Sequence, residues 1–211
     1  MLDTPAHSTA LVVGGGTMGA DVAMVLARAG CRTVVMETGA ARRQLLPDYF
    51  AAGMRDLGYP QRVDRLSAAA SFADADWQKI DLVIECIPER LDIKQTLFAE
   101  LERRARPDAL LASNSSSFPI SDIAAGLASA HRMLGLHFFM PAHLVPLVEV
   151  ILGNASDPRH GATLLSFMRA CGMVPVLVKK DLPGFLANRL QHALAREAFA
   201  MIDDGIATAE D

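Results

Sequence analysis

Residues 8–37 read STALVVGGGTMGADVAMVLARAGCRTVVME, and the fold is decided there. An apolar run, Ser8–Val13, meets Gly14-Gly15-Gly16-Thr17-Met18-Gly19. A helix-compatible segment, Ala20–Ala29, follows and stops at Gly30. Arg32–Glu37 is a second, β-branched run that ends in an acid. Gly14, Gly16 and Gly19 fit Gly-x-Gly-x-x-Gly. In that motif the first glycine permits a tight turn, the second lets the backbone approach a pyrophosphate, and the third lets helix and strand pack closely. The helix then aims its free N–H groups and positive dipole end at the phosphates. Glu37 lies 18 residues beyond Gly19, at the end of the next strand. It can accept hydrogen bonds from ribose hydroxyls and would repel a 2′-phosphate, which selects NAD over NADP. Arg42 and Arg43 read as a solvated helix face, with reach to a phosphate as the alternative.

The alternation continues outward. Helical patterns fall at Gly39–Leu57, Glu89–Arg106, Ser121–Leu127 and Arg159–Gly172. Strand patterns fall at Arg65–Ala70, Asp81–Ile87, Ala109–Ser113, Arg132–Phe139, Leu147–Leu152 and Val174–Val178. Strands alternating with helices imply βαβ units and a sheet covered on both faces. The expected fold is therefore α/β, a Rossmann-type, doubly wound, mostly parallel sheet over residues 1–182. After Asp181-Leu182-Pro183-Gly184 the pattern becomes one long helix, Phe185–Ile202. A single helix cannot bury its own apolar face. Residues 183–211 thus read as the beginning of an all-α C-terminal domain that is cut short, or as a helix docked on the sheet or on a partner.

Composition narrows the class of function. Half of the 211 residues are apolar, and the net charge of −4 leaves no electrostatic footprint for nucleic acid or a membrane surface. No apolar run approaches the roughly 18 residues of a membrane span. MLDTPAHST has no basic segment and does not read as a secretory signal. Cys31, Cys86 and Cys171 are odd in number and scattered, which argues for reduced cytoplasmic thiols rather than disulfides or zinc. His131, His137 and His143 lie six residues apart, a spacing that suits no familiar metal site; no metal is expected.

Chemistry is concentrated downstream. Ligands bind outside the carboxyl ends of parallel strands. Glu89, Ser113–Ser117 and His137 all follow apolar runs. Oxidising an alcohol needs a base, and histidine, with an ordinary pKa of about 6.5, suits that role. A carboxylate on the other ring nitrogen would fix the tautomer and stabilise the imidazolium. Glu149 is the only acid in the apolar run Leu144–Leu152, and a buried carboxylate demands a partner. A structural His–Glu pair is the alternative. The serines of SNSSS offer hydroxyls beside the site or ordinary loop and capping chemistry.

With these motifs in hand, the chain resembles the L-3-hydroxyacyl-CoA dehydrogenase family, which includes lambda-crystallin and gulonate or carnitine dehydrogenase-like members. The resemblance rests on VVGGGTMGADVA, ECIPERLDIK, ASNSSSFPIS, GLHFFMPAHLVPLVEV and DLPGFLANRL, in that order. It implies an NAD-dependent oxidation of a 3-hydroxyl to a 3-keto group, as in fatty acid metabolism. Residue by residue it implies His137 as base, Glu149 as its partner, Ser116 hydrogen-bonded to substrate, and Asn188 orienting substrate oxygens. Gly14, Gly16, Thr17, Met18, Gly19, Glu37, Cys86, Glu89, Lys94, Ser116 and Met140 would bind cofactor, and Lys94 would also face substrate. Met140 departs from the family's usual Asn and cannot donate a hydrogen bond. The segment between Glu37 and Asp81 lacks the family's lysine-rich hairpin that holds CoA, which opens a free 3-hydroxy acid as the alternative to a thioester. A non-enzymatic, crystallin-like or sensor role that only binds NAD is a second alternative. The family's helical domain makes its dimer, so a homodimer is expected where that domain is complete.

Overall fold

The computed structural model describes Leu2 and residues 4–211; Met1 and Asp3, part of the N-terminal stretch read against a secretory signal, lie outside the described residues. The strands are β1 (Thr9–Val13), β2 (Arg32–Met36), β3 (Leu66–Ala69), β4 (Leu82–Glu85), β5 (Leu110–Ser113), β6 (Met133–Phe138), β7 (Leu147–Leu152) and β8 (Val174–Val178). They form one sheet in the order β3-β2-β1-β4-β5-β6-β7-β8. The first six run parallel. β7 turns back antiparallel to β6, and β8 runs parallel to β7. This is the expected doubly wound α/β sheet, and its first six strands have the strand order typical of dinucleotide-binding folds.

The helices are α1 (Thr17–Arg28), α2 (Ala40–Asp56), α3 (Leu91–Arg104), α4 (Ile120–Ile123), α5 (Pro158–Ala170) and α6 (Ala187–Asp203). Side chains of a strand alternate between the two faces, and they divide accordingly. Ala10, Val12, Leu82, Ile84, Leu110 and Ala112 pack under α1 and α5. Leu11, Val13, Val83 and Leu111 pack on the other face with Phe98 and Leu101 of α3. Strands buried on both faces explain why ALVV, LVIE and LLAS read as unbroken apolar runs rather than alternating ones.

Some boundaries move. α1 starts three residues earlier than expected, because Gly16 is its N-cap and the glycine turn feeds straight into it. α4 is a single turn rather than Ser121–Leu127, with its first amides capped by Asp181. α6 starts at Ala187 rather than Phe185, since Gly184 (φ +75°) and Phe185 (φ +49°) are both left-handed. No residue of α6 is buried. Leu190, Leu194 and Phe199 are 72%, 73% and 65% exposed, so α6 does not dock on the sheet. No helix among the described residues is long and apolar enough to cross a membrane.

Because β1 lies between β2 and β4, the chain winds first to one side of β1 and then returns to the other. The reversal leaves a crevice at the carboxyl ends of β1 and β4. Gly19 brings α1 close to this turn: a Cβ there would sit 1.9 Å from the Gly14 carbonyl oxygen. Backbone cannot yield to it as a side chain can. Gly19→Ala is expected to cost about 3 kcal/mol or more, roughly 6–12 °C in Tm for a chain of this size. Gly58→Ala, whose Cβ would meet nothing within 4 Å, should cost only the about 1–2 kcal/mol of a left-handed residue. Thermal unfolding of the two variants checks the difference.

Candidate active site

The crevice opens into a cleft of about 790 Å³ along the carboxyl ends of β1, β2 and β4. Gly14 makes the first turn with φ +105°, and a Cβ on it would lie 2.6 Å from the Cys86 carbonyl oxygen. Gly16 has open space instead: a Cβ there would meet only the Arg42 guanidinium, at 3.6 Å. The backbone at the N-terminus of α1 is thus accessible to a ligand, with Thr17 and Met18 beside it. Glu37 closes the β2 side. Its carboxylate accepts hydrogen bonds from the Gly15 amide (3.0 Å) and the Gly39 amide (2.7 Å). Cys86 and Met140 line the β4 side. Arg43 is committed to the backbone, donating to the Glu37 carbonyl at 2.8 Å, whereas Arg42 stands in the cleft wall. An open helix N-terminus, a bare glycine backbone and an acid on the adjacent strand fit a dinucleotide with free ribose hydroxyls. Gly19 lies beneath this surface as a packing contact, not in the lining.

Glu89, Lys94 and Ser116 do not line this cleft. They belong to a buried charged cluster and to the loop it holds. Lys94 is 1% exposed, and its Nζ lies 2.7 Å from Glu85 and 3.1 Å from Glu89. The ammonium is held between the two carboxylates and supports Glu89. Glu85 ends β4 and is fully buried. It accepts from Lys94, from the Ile87 amide (2.7 Å) and from the Ser113 hydroxyl (2.6 Å). Glu89 Oε1 accepts from the Ser115 hydroxyl (2.6 Å) and from the Ser116 (3.0 Å) and Ser117 (2.9 Å) amides. Burial pushes the Glu89 carboxyl up, but the Ser115 hydrogen bond and the Lys94 charge outweigh it and hold it below the usual carboxylate range. The serine loop is therefore shaped by Glu89.

His137 and Glu149 are direct cross-strand partners in the antiparallel β6–β7 pair. Directly opposed residues share a face, so a separation of twelve residues becomes a contact. The Glu149 carboxylate accepts from His137 Nδ1 at 2.8 Å, with both side chains almost wholly buried. Its other oxygen accepts from the Leu186 (3.0 Å) and Ala187 (2.9 Å) amides at the start of α6. Burial raises the Glu149 carboxyl, but the His137 bond and the two amides prevail and hold it below its ordinary value. An ionised carboxylate only accepts, so the Nδ1 atom carries the proton. In the neutral imidazole Nε2 then carries the lone pair, and it lies 3.1 Å from the Ser116 hydroxyl. Asn188 donates to the Ser116 carbonyl at 3.1 Å. The four residues read as catalytic from the sequence thus converge.

Several supports escape sequence reading. The imidazole is flanked by Phe139 and Phe185, at ring-centroid distances of 4.6 and 5.6 Å. Asp181 ties the segment before α6 to α4 through the Ile120 and Ser121 amides. Asn114 accepts from the Phe138 amide and joins the ends of β5 and β6. Glu85 carried the same signal as Glu149, a lone acid inside an apolar strand, and was findable. Asp181, Phe185 and Asn114 act through contacts far apart in the chain and had no local signal.

The fold and the glycine-lined cleft define a dinucleotide-binding domain. A family profile, "3-hydroxyacyl-CoA dehydrogenase, NAD binding domain", matches residues 9–182, and the chain belongs to that family. It is 34% identical over 212 residues to the 5-formyl-3-hydroxy-2-methylpyridine 4-carboxylate 5-dehydrogenase of Mesorhizobium japonicum, covering 95% of this chain and 66% of that one. It is 36% identical over 211 residues to the L-carnitine dehydrogenase of Burkholderia mallei, covering 98% and 64%. The crystal structure of 3-hydroxybutyryl-CoA dehydrogenase from Escherichia coli K12 superposes with a TM-score of 0.90 at 32% identity, over 99% of this chain and 45% of that one. The chain spans slightly less than two thirds of the length of these curated relatives.

Two outcomes follow from the buried charges. Lys94→Met leaves two acids without their cation and should destabilise the fold by about 3–5 kcal/mol, read by urea unfolding. Glu149 has a native carboxyl below the ordinary 4.5, so its share of stability is complete above that value and fades as pH falls through the lowered native one. The stability gap between the parent and Glu149→Gln should therefore be widest near neutrality and narrow in acid. Urea unfolding across pH measures it; a gap that does not narrow contradicts the assignment.

Proposed function

We propose that the protein oxidises the 3-hydroxyl of a hydroxy-acyl compound to a ketone, with NAD as acceptor and His137 as general base. The observation that carries this reading is the setting of His137 between Glu149 and Ser116. Glu149 holds Nδ1 as a donor, two α6 amides occupy the other carboxylate oxygen, and Nε2 is left as an acceptor beside Ser116. A base so arranged can take the substrate hydroxyl proton. The charge that appears on the imidazole is met by a carboxylate 2.8 Å away, which lowers the barrier by stabilising charge only as it develops. NAD, when bound, supplies the hydride acceptor. Ser116 is placed to hydrogen-bond the substrate oxygen, and Asn188 holds the Ser116 backbone in position. Phe139 and Phe185 flank the ring. Glu37 selects the adenosine ribose, and Met140 offers the cofactor an apolar contact in place of a hydrogen bond. The domain reading belongs to the same proposal: residues 183–211 begin a helical region whose remainder covers the apolar face of α6 and makes a homodimer.

The test is NADH turnover by the full-length protein, followed against tryptophan-to-NADH energy transfer as a measure of binding. His137→Gln should lower kcat by about 10²–10⁴ and leave NADH affinity unchanged. Turnover within a few-fold of the parent would remove His137 from the reaction.

A further inference from the structure

Two clefts open beside the sheet: the nucleotide crevice, about 790 Å³, and one of about 670 Å³ between the serine loop and α6. Behind the first lies a buried charged network with no part in the chemistry described above. Its centre is Asp21, fully buried in α1. We propose that Asp21 is a positioning residue for the dinucleotide: by holding Tyr49 of α2 and His143 of the β6–β7 connection, it fixes the two walls of the crevice at the separation that binds cofactor. The proposal concerns cofactor affinity and is independent of the substrate and of His137.

The setting of this acid is the first observation. Asp21 stands in MGADVAMVLA, where every residue from Gly19 to Ala27 is buried. Among the described residues the buried acids are Asp21, Glu85 and Glu149. Each is a lone acid in an apolar run. Glu85 anchors the cluster behind the serine loop and Glu149 holds the imidazole; Asp21 belongs to neither group. Aspartate is a weak helix former, and a buried carboxylate is costly unless it is paired. An apolar residue would suit the interior of α1 better. What the charge contributes therefore lies in its partners, outside α1.

Those partners come from two different elements. Asp21 Oδ1 accepts from the Tyr49 hydroxyl at 2.6 Å. Burial and the Asp21 carboxylate push the Tyr49 phenol up to about 12, so it remains a donor at neutral pH. Oδ2 lies 3.0 Å from His143 Nδ1, an ion-pair contact off the axis of a hydrogen bond. Neither of those two buried atoms has a hydrogen-bond partner elsewhere among the described residues. An anion tolerates a ring nitrogen at this distance when the nitrogen carries its proton, and the contact is then attractive. Arg28, seven residues on and so on the same face of α1, donates to the His143 carbonyl at 3.1 Å. α1 thus holds His143 by its side chain and by its main chain.

Both partners belong to the walls of the crevice. Tyr49 lines it on α2, beside Leu45 and Leu46. His143 follows Met140 by three residues, and Met140 lines the crevice on the β4 side. The Pro141 carbonyl accepts from the Leu144 and Val145 amides, both at 3.0 Å, so the turn that carries His143 is closed on itself and fixes Met140 with it. The path Tyr49–Asp21–His143 therefore runs from one wall to the other through the helix whose N-terminus receives the phosphates. A dinucleotide touches both walls. Walls already held at the right separation lose less freedom on binding. Without the link, apparent Kd rises in inverse proportion to the fraction of molecules still in the binding arrangement.

The experiment is calorimetric titration of NADH into the full-length protein and its Asp21→Ala, Tyr49→Phe and His143→Ala variants, with urea unfolding to establish that each is folded. Alanine keeps α1 helical and leaves no unpaired charge. Tyr49→Phe keeps the ring in the crevice and removes only the hydroxyl. A hydrogen bond to a charged group is worth about tenfold or more in an equilibrium, so Kd for NADH should rise about tenfold in Tyr49→Phe and in His143→Ala. Asp21→Ala should match the loss of both arms together, and adding Tyr49→Phe to it should change Kd by no more than about twofold. AMP, which reaches only the Glu37 side, should bind His143→Ala as it binds the parent. An equal loss for AMP and NADH would mean a distorted helix end and overturns the proposal. NADH affinity within about twofold of the parent in both Tyr49→Phe and His143→Ala, whatever their stability, overturns it too and leaves the network a packing feature. Tighter NADH binding by Asp21→Ala does the same, because the carboxylate would then be repelling the phosphates. If Asp21→Ala does not fold, the two single-arm variants decide, since each leaves the sequence of α1 intact.

Discussion

One carboxylate joins the two halves of the site. Glu149 stands inside β7, in a run that is otherwise apolar, and it is held by three donors from two directions. One is the imidazole of β6; the others are the first amides of α6. A buried anion is tolerable only when its oxygens are satisfied, so the need to satisfy Glu149 also sets where α6 begins. The left-handed pair Gly184–Phe185 turns the chain so that two successive amides reach the carboxylate, and it places the Phe185 ring against His137. Asn188 follows one residue after the second amide and reaches Ser116. Removing this carboxylate would release the histidine, the helix and the serine contact together.

A second buried acid performs the matching task on the other side. Glu85 at the end of β4 holds Lys94, and Lys94 holds Glu89, whose carboxylate accepts three hydrogen bonds from the serine loop. This chain of contacts runs from the sheet core to Ser116. Lys94 is the middle link of that chain, buried between Glu85 and Glu89. Isolated in the interior, that ammonium would be costly; between two carboxylates it becomes a strut. The Ser116 loop is thus positioned by charge pairs in the core, and the His137 imidazole by its pair with Glu149 between strands.

The nucleotide crevice follows from simpler causes. Strand order reverses beside β1, and the glycines let α1 and the β4–α3 connection approach the first turn. Arg43 is spent on the backbone while Arg42 faces the cleft, a division that no composition argument anticipates for two adjacent arginines. The two clefts differ in character: apolar with Glu37 at its edge where the nucleotide fits, and lined by Ser116, Ser117 and α6 beyond the serine loop.

Local pattern was sufficient for the elements, the winding of the sheet, the glycine turn, the acid on β2, and the pairing of His137 with Glu149. Each of these depends on periodicity, on conformational limits of single residues, or on the cost of burying one charge, all of which act over a few neighbours. It was insufficient for the burial of Lys94, the capping of α4 by Asp181 and the aromatic faces around the imidazole. These are contacts between segments separated by many residues, and which of them form depends on how strands register and where a helix is launched. A lysine in an amphipathic helix looks solvated until two carboxylates converge on it. Sequence determined the kind of fold and the residues of the candidate site; only the packed structure decided which charges are partners, because partnership is a matter of distance and burial rather than order along the chain.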